Sequence, residues 1–433
     1  MRGDEQTAMV AYSAILAGNT IRISFRGVAF SCVLFMSALL NHSQKLFGFN
    51  LSLADLLLPI SLVSLMILGT LRLRASYLSF FVSLSLVGLL SSAFLIPGIT
   101  SYTMSLLSVL KGYIKIAVSF LFFSVGYSLN REWQGKVIQA YSRTAIGIGL
   151  IGVLLSISGS GFLREQFFYG SFRLRGLMSD LNYFSVIQAS VLVYCIRNSK
   201  LRTFSKLVAS SVLLLSIIAS GSKTGLLTVG IYFAFLLFER IVASRQTVLL
   251  MTILCIVLIL AVLLVPLVSS LFIVVLDSTT RVIPAFARVR FLFTDFSYAI
   301  SEGGSSRDVA WGNAFYLIRL SPLFGTGFGT YSDVSSLVFG TRVIAHNTFL
   351  QMFAEWGIPL ALTFFCYVFL VLVSVSRRMT NPDEVTLITR DIIIVFLVGS
   401  IGISLNNARM FWFFLGILTA SAARPSREIQ SRS

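Results

Sequence analysis

The sequence has little charge for its length and few histidines or cysteines. Of its 433 residues, 12% are charged and 56% are hydrophobic, whereas about one quarter of a soluble globular chain is charged. This shortage of charge excludes a soluble enzyme, and the apolar content excludes a disordered chain. The four cysteines lack the CxxC spacing of zinc sites and do not form a disulfide framework pattern. The composition indicates a polytopic membrane protein.

Twelve apolar segments, separated by polar breaks, are candidate transmembrane helices. Their approximate bounds are 27–41, 50–70, 78–96, 105–128, 137–158, 183–196, 207–220, 225–239, 247–275, 357–376, 391–405 and 410–423. Several are shorter than the roughly 20 residues that a perpendicular spanning helix needs. We therefore expect an all-α, polytopic integral membrane protein with about twelve transmembrane helices.

The basic residues predict the orientation of these helices. Nineteen of the 34 Lys and Arg fall on the side that holds both termini, and the short loops of the other side hold only Lys45, Lys223 and Arg409. The positive-inside rule then places both termini in the cytoplasm. The net charge of +17 is explained by cytoplasmic loops beside an anionic leaflet. Nucleic-acid binding is not expected, because no basic cluster is interleaved with aromatic residues.

Two long segments, roughly 159–182 and 277–346, face the outer side in this topology. The second is rich in aromatic and basic residues and is expected to be a structured periplasmic loop. The predicted organisation is an N-terminal transmembrane bundle of about nine spans at 1–276, the loop at 277–346, and C-terminal spans with a cytoplasmic tail at 347–433.

His346 ends the large loop just before an apolar segment. An interfacial histidine is more often a hydrogen-bonding residue than a catalyst. It is nevertheless the only side chain of the long outer loops whose ordinary pKa suits proton transfer near neutral pH. The other histidine, His42, is expected to be a solvated or capping residue in a short outer loop.

Several cations on the predicted outer side are candidate phosphate ligands. Arg173 and Arg175 precede Gly176, and they either contact lipid headgroups or bind phosphate oxygens with the planar guanidinium fork. Lys223 lies in a tight turn between two apolar segments, where it reaches either the interface or a polar cavity. Arg307 falls on one helical face with Trp311, and its alternative role is a local ion pair with Asp308.

Two further patterns bear on the chemistry. The glycine-rich run Pro322–Tyr331 contains GxGxG without a preceding strand, so a backbone turn is favoured over a nucleotide-binding loop. The outer loops contain no paired carboxylates, and zinc has no plausible ligand set. An enzyme built on these residues is expected to work without a metal or other cofactor, with cationic side chains neutralising phosphate.

A transporter is the alternative from another functional class, and the resemblance described below implies anionic lipid-linked glycans as its cargo. It requires ionisable residues along a path through the bilayer. The basic candidates within the predicted spans are Lys111, Lys115 and Arg143, and Asp55 is the one acidic residue predicted well within a span. The remaining polar candidates gather on one face, which favours an enzyme.

Four stretches resemble the O-antigen polymerase and ligase superfamily of bacterial envelopes. One resembles its RxxG…(D/N)PN segment with Leu181 at the usual proline, and one resembles its short polar turn with lysine where arginine is common. The others resemble its R…W…PLFGxGxG run and its HNxxL…ExG box. The stretches in this sequence are Arg173–Gly176 with Asp180–Asn182, Ser222–Thr224, Arg307 to Gly329, and His346 to Gly357.

This resemblance implies a glycosyltransferase of the bacterial inner membrane with its active site on the periplasmic face. The donor would be a glycan on undecaprenyl diphosphate, and Arg173 or Arg175, Lys223 and Arg307 would bind the diphosphate. His346 would accept the proton of the acceptor hydroxyl, with inversion at the anomeric carbon and Arg307 stabilising the leaving group. Glu355 would have a structural role or orient His346.

The resemblance implies two acceptors and leaves both open. A polymerase transfers the growing chain to another lipid-linked repeat, and a ligase transfers it to lipid A–core. The Ser222–Thr224 turn is slightly more similar to polymerases, so we favour an O-antigen or surface-polysaccharide polymerase. The partners in either case are the lipid-linked donor, its acceptor and the membrane lipids.

Overall fold

A computed structural model describes residues 24–46, 49–100, 105–158, 161–170, 172–242, 307–377 and 383–423. Of these residues, 78% are helical, and strands occur there only as two short antiparallel pairs. The expectation of an all-α fold is confirmed. The predicted span at 247–275 and the first part of the predicted loop, up to residue 306, lie outside the described residues.

The helices and strands alternate with short connections. In chain order they are α1 (Phe25–Leu39), β1 (Gln44–Leu46), β2 (Phe49–Leu51), α2 (Leu53–Ile67), α3 (Ala75–Leu90), α4 (Ile96–Thr100), α5 (Leu106–Ser128), α6 (Arg131–Ser158), α7 (Gly161–Phe167), β3 (Phe168–Tyr169), β4 (Arg173–Leu174), α8 (Leu181–Arg197), α9 (Thr203–Ser220), α10 (Lys223–Val242), α11 (Arg307–Leu320), α12 (Tyr331–Phe339), α13 (Thr348–Trp356), α14 (Ile358–Arg377), α15 (Glu384–Gly399) and α16 (Arg409–Ala422). A π-helical turn, Ser91–Leu95, joins α3 to α4.

Six helices of the described residues are long and apolar enough to cross a membrane. They are Ala75–Ile99, Leu106–Ser128, Arg131–Ile157, Thr203–Ser220, Lys223–Val242 and Ile358–Arg377. Four shorter apolar helices, α1, α2, α8 and α16, accompany them. Many large apolar side chains of this bundle are exposed, among them Phe35, Leu106 and Phe369. Such a surface is unfavourable in water and suits contact with lipid.

Two predicted positions are wrong in detail. The segment 391–405 does not form one span, because α15 ends at Gly399 and residues 400–408 form a non-helical connection to α16. Asp55 does not lie deep in a span. It occupies the first turn of α2, where it completes a capping box with Ser52 and pairs with Arg409 at 2.5 Å. Hydropathy fails to show either feature, because one short polar residue in an apolar run changes the average little.

Small residues allow α5 and α16 to pack closely along their length. A side chain at Gly126 would meet the backbone of Phe413, and one at Gly416 would meet the backbone of Phe123. Glycine at such crossings lets two helix backbones approach, which is how apolar helices gain contact in a lipid environment. Helix α8 is buried over most of its length and packs on α9, α10 and α15.

A buried ion network joins α8, α10 and α15 at the end of the bundle opposite to Asp180 and Lys223, which begin α8 and α10. Asp391 accepts hydrogen bonds from Arg197 Nε at 2.7 Å and from the Tyr232 hydroxyl at 2.8 Å. Arg390 contacts Asp391 at 2.6 Å and Glu239 at 2.7 Å, and Arg197 also pairs with Glu239. Two cations and two anions therefore neutralise one another where the three helices meet.

Candidate active site

His346 has the only positive φ angle (49°) among the described residues other than glycine. It follows the buried Ala345 and precedes Asn347, whose side chain caps α13 by accepting from the Leu350 amide at 3.1 Å. A side chain in this backbone region costs about 1 to 3 kcal/mol and persists only where the surroundings fix it. Outliers of this kind concentrate at functional sites.

The connection between α15 and α16 fixes the start of α13. The Thr348 amide donates to the Ser400 carbonyl at 2.8 Å, and its hydroxyl donates to the Ile403 carbonyl at 2.8 Å. The same hydroxyl accepts from the Leu405 amide at 2.7 Å. Because Thr348 is two residues after His346, these bonds hold the histidine backbone against residues 400–405.

Arg307 begins α11, and its guanidinium contacts both α10 and the same connection. Its Nη2 donates to the Thr224 hydroxyl at 2.8 Å and to the Gly402 carbonyl at 3.1 Å. Burial lowers the pKa of Arg307, while the nearby Asp180 carboxylate raises it. Arg307 lies in a helix, as the predicted helical face requires, and the buried residues of this helix are Ala310, Ala314 and Leu317. Its role as a phosphate ligand stays a prediction.

The turn that presents Lys223 is stabilised from both sides. Gly221 takes the left-handed conformation (φ 59°) that ends α9, which glycine adopts without steric cost. The Ser222 hydroxyl donates to Asn182 Oδ1 at 2.8 Å and accepts from the Gly225 amide at 3.1 Å. Arg173 donates to the Ser220 and Gly221 carbonyls, each at 3.2 Å. Lys223 is therefore the half-buried first residue of α10, in a fixed turn.

Asp180 is the acidic group between these elements. One carboxylate oxygen caps α8 by accepting from the Asn182 and Tyr183 amides at 2.7 and 3.1 Å. Its charge acts on His346 and on Arg307. Burial is the main cause that lowers the pKa of His346, Asp180 raises it, and Arg307 lowers it. The result is a histidine that stays neutral to lower pH than an exposed one.

Three helix N-termini meet at this place, and Arg307 of α11 lies beside them. Asp180 caps α8, Lys223 is the first residue of α10, and Asn347 caps α13. The hydrogen bond Ser222–Asn182 joins the start of α8 to the turn before α10, and the bond Arg307–Thr224 joins α11 to the start of α10. Helix N-termini carry partial positive charge and favour anions. The tertiary structure thus brings His346, Arg307 and Lys223 together, with Arg173 behind the Lys223 turn.

The glycine-rich run is a backbone turn that packs against the end of α13. The Thr326 and Gly327 amides donate to the carbonyls of Ala354 and Glu355 at 2.8 and 3.0 Å. Glu355 is buried, which raises the pKa of its carboxyl, and it accepts from Gln351 at 2.9 Å and Asn406 at 3.4 Å. These contacts give Glu355 a structural role at the packing of this turn on α13.

Two sequence candidates lie elsewhere. Arg175 faces a separate cavity, described below, and its Nη2 donates to the Glu165 carbonyl at 3.3 Å. His42 accepts from the Leu53 amide at 3.3 Å, so it has the capping role expected for it. Within the described ranges, no group of three His, Cys, Asp or Glu side chains is placed to hold a metal ion.

Sequence reasoning missed Gly402 and the Thr224 hydroxyl as the groups that hold Arg307. Gly402 lies within an apolar segment that was predicted to be one span. The two glycines Gly399 and Gly402, with Ser400 between them, were the sequence signal that the helix ends there. A Cβ at Gly402 would lie 2.6 Å from the Thr224 hydroxyl oxygen, so glycine is required for this contact. Asn182 also belongs to the framework, because it fixes Ser222.

The helices and the site define a multi-pass membrane protein with a cationic, histidine-containing site at one end of its bundle. Residues 208–365 match the family model described as O-antigen ligase. This match supports the resemblance to the O-antigen polymerase and ligase superfamily that the sequence motifs predicted. The match includes Lys223, Arg307 and His346 and ends before α15. No curated protein sequence matches the chain.

Proposed function

We propose that this protein is a membrane glycosyltransferase that takes a glycan from undecaprenyl diphosphate. The convergence of His346, Arg307 and Lys223 beside the N-termini of α8, α10 and α13 carries the proposal, because it joins a proton acceptor to an anion-binding surface. The O-antigen ligase family match supports the same chemistry. The site lies on the periplasmic face of a bacterial inner membrane, with both termini in the cytoplasm.

Transfer proceeds in one displacement. The acceptor hydroxyl oxygen attacks the anomeric carbon while the bond from that carbon to the diphosphate oxygen breaks, and the leaving group takes the electron pair. His346 accepts the hydroxyl proton, and the configuration inverts. Arg307 and Lys223 neutralise the negative charge that grows on the leaving diphosphate, so no metal is required.

The two arginines of the 173–176 segment have different parts in this proposal. Arg173 lies behind the Lys223 turn and donates to two of its carbonyls, so it supports the diphosphate site with its charge and fixes the turn. Arg175 points to the other cavity. We therefore assign diphosphate binding to Arg307 and Lys223, and support of the Lys223 turn to Arg173.

The acceptor distinguishes two versions of this function. We propose transfer to another lipid-linked repeat, the polymerase reaction, on the similarity of the Ser222–Thr224 turn to polymerases. The ligase reaction with lipid A–core is the second candidate, and it is favoured by the description of the matching family. Both reactions use the same donor and the same proton transfer.

The test uses the purified full-length protein with a synthetic undecaprenyl-diphosphate glycan, with and without lipid A–core, and with a chelator. Longer lipid-linked chains without the core acceptor establish a polymerase. Product that forms only when core is supplied establishes a ligase. Folded protein that transfers to neither acceptor contradicts the proposal and favours transport, and loss of transfer with chelator contradicts a metal-free reaction.

A further inference from the structure

A second cavity lies beside the candidate active site. Its volume is about 310 Å³, and its polar lining consists of Ser43, Gln44, Gln166, Arg175 and Ser179. This size is at the lower end of small-molecule sites, which are roughly 300 to 1,000 Å³. One cation surrounded by neutral amides and hydroxyls differs from the diphosphate site, where several cations gather.

Hydrogen bonds across the sequence hold the wall of this cavity. The Ser43 amide donates to the Leu177 carbonyl at 3.0 Å, and the Ser179 amide donates to the Ser43 hydroxyl at 3.3 Å. The turn after α1 is thereby joined to the segment that precedes α8. Because these bonds use backbone groups and short side chains, the lining is fixed before a ligand binds.

Arg175 is anchored so that its guanidinium borders the cavity. Its amide donates to the Phe167 carbonyl at 2.8 Å, and Nη2 donates to the Glu165 carbonyl at 3.3 Å. Its Nε is enclosed and has no acceptor among the residues that the structure describes. Because Nε is enclosed, a ligand in the cavity meets the outer nitrogens of the guanidinium, and their N–H groups suit a carboxylate oxygen.

The cavity and the candidate active site share a wall. Ser179 lines the cavity, and the next residue is Asp180, whose charge acts on His346 and Arg307. Consecutive Cα atoms are about 3.8 Å apart. The cavity is therefore adjacent to the residue whose charge acts on the candidate active site.

From this geometry we infer that the cavity binds a carboxylate-bearing sugar unit of the glycan substrate, an inference that rests on the proposed glycosyl transfer. Arg175 pairs with the carboxylate, while Gln44, Gln166 and the serines exchange hydrogen bonds with sugar hydroxyls. Leu177 and Met178 supply the apolar part of the lining, against which the C–H face of a sugar ring packs. The cavity thus selects acidic glycans.

The test measures binding of two disaccharides to the purified full-length protein. Cellobiouronic acid and cellobiose differ in one carboxylate, and neither carries lipid or diphosphate. We expect the acid to bind the wild type about tenfold more tightly, because a charge-assisted hydrogen bond is lost in the neutral sugar. Arg175→Gln should remove this preference. Gln166→Ala should weaken both sugars together.

Arg164→Gln is the matched control, because Arg164 lies on α7 with Gln166 and stacks on Phe168 at 5.3 Å, outside the cavity lining. It should keep the preference. Equal affinity for both disaccharides, or a preference retained in Arg175→Gln, overturns the inference. Binding of short-chain phosphatidylglycerol that depends on Arg175, without disaccharide binding, also overturns it and assigns the cavity to a lipid headgroup.

A transfer assay on the same preparations separates the two proposals. Wild-type protein that transfers glycan but lacks the acid preference contradicts the sugar site and leaves the proposed function intact. Protein that prefers the acidic disaccharide but transfers to neither lipid-linked repeat nor lipid A–core contradicts the proposed function.

Discussion

Asp180 combines two roles that one substitution can separate. One oxygen caps α8, and the negative charge acts on His346 and Arg307. Thr348 and Ser222 also have more than one role each. Thr348 fixes the segment that holds His346 with both its amide and its hydroxyl. The Ser222 hydroxyl donates one hydrogen bond and accepts another. At the scale of single residues, the site depends on short polar side chains that hold longer charged ones.

Replacement of His346 by alanine should lower kcat for transfer by about 100-fold or more, because the acceptor hydroxyl loses its proton acceptor. Single-turnover transfer from the lipid-linked donor measures this loss. Donor binding should change little. Wild-type turnover in folded His346→Ala protein would remove histidine from the mechanism.

Asp180→Asn should shift the acid limb of kcat/KM to lower pH. Asparagine keeps the oxygen that caps α8, so the change removes charge and leaves the cap. Asp180 raises the pKa of His346, and its loss lets the neutral, proton-accepting form persist to lower pH. Asp308→Asn, an exposed residue in the first turn of α11, is the control. An unmoved limb in Asp180→Asn would contradict the coupling.

Thr224→Val should reduce kcat/KM by about tenfold, because Arg307 loses its hydroxyl acceptor and its fixed orientation. Thr224→Ser keeps that hydroxyl and should retain most activity. Valine has nearly the same shape as threonine, whereas serine is smaller. Greater activity of the serine variant therefore reflects the hydroxyl and not better packing. Equal activity of the two would show that the Arg307–Thr224 bond is dispensable.

At the scale of elements, helix ends form the site and helix bodies support it. The connection between α15 and α16 contacts Thr224 in the first turn of α10, Arg307 of α11 and Thr348 at the start of α13. No side chain of that connection has a part in the proposed transfer. It contributes carbonyls from Ser400, Gly402 and Ile403 that fix the other elements.

Gly402→Ala should lower activity while the bundle stays folded, because the added methyl group collides with Thr224 and displaces the Arg307 contact. Transfer rate and thermal unfolding in detergent measure the two effects separately. Gly230→Ala is the matched control, since a Cβ there meets nothing within 4 Å. Full activity of Gly402→Ala would show that the connection adapts without consequence for Arg307.

At the scale of the whole molecule, the two ends of the bundle differ in their distribution of charged groups. The site end presents cations and helix N-termini together with the Asp180 carboxylate. The opposite end holds the balanced network of Arg197, Arg390, Asp391 and Glu239. An anion is therefore attracted at one end, while at the other the charges fasten α8, α10 and α15 together.

Asp391→Leu should destabilise the protein by about 3 kcal/mol or more, since the buried Arg390 and the partly buried Arg197 lose a fully buried partner. A lowered midpoint of thermal unfolding in detergent measures the loss. Asp333→Leu breaks the pair with the largely exposed Arg342 and should cost about 1 kcal/mol or less. Similar midpoints for both variants would show that the buried network adds no more than a surface pair.

Composition alone determined that this is a helical membrane protein, because lipid contact demands long apolar segments and little charge. Eleven of the twelve predicted spans overlap described helices, and the order of the motifs was enough to predict the family. The same local patterns also marked His346, Arg307 and Lys223 as candidates. These features depend on residue type and on near neighbours in the chain.

Only the tertiary structure decided which residues meet. Arg173 and Arg175 are equivalent in the sequence, yet one supports the Lys223 turn and the other borders the second cavity. Asp180 is close to His346 although 166 positions separate them. Gly402 matters through a contact with Thr224 on another helix. Such contacts are set by how helices cross and where they end, and hydropathy does not contain that information.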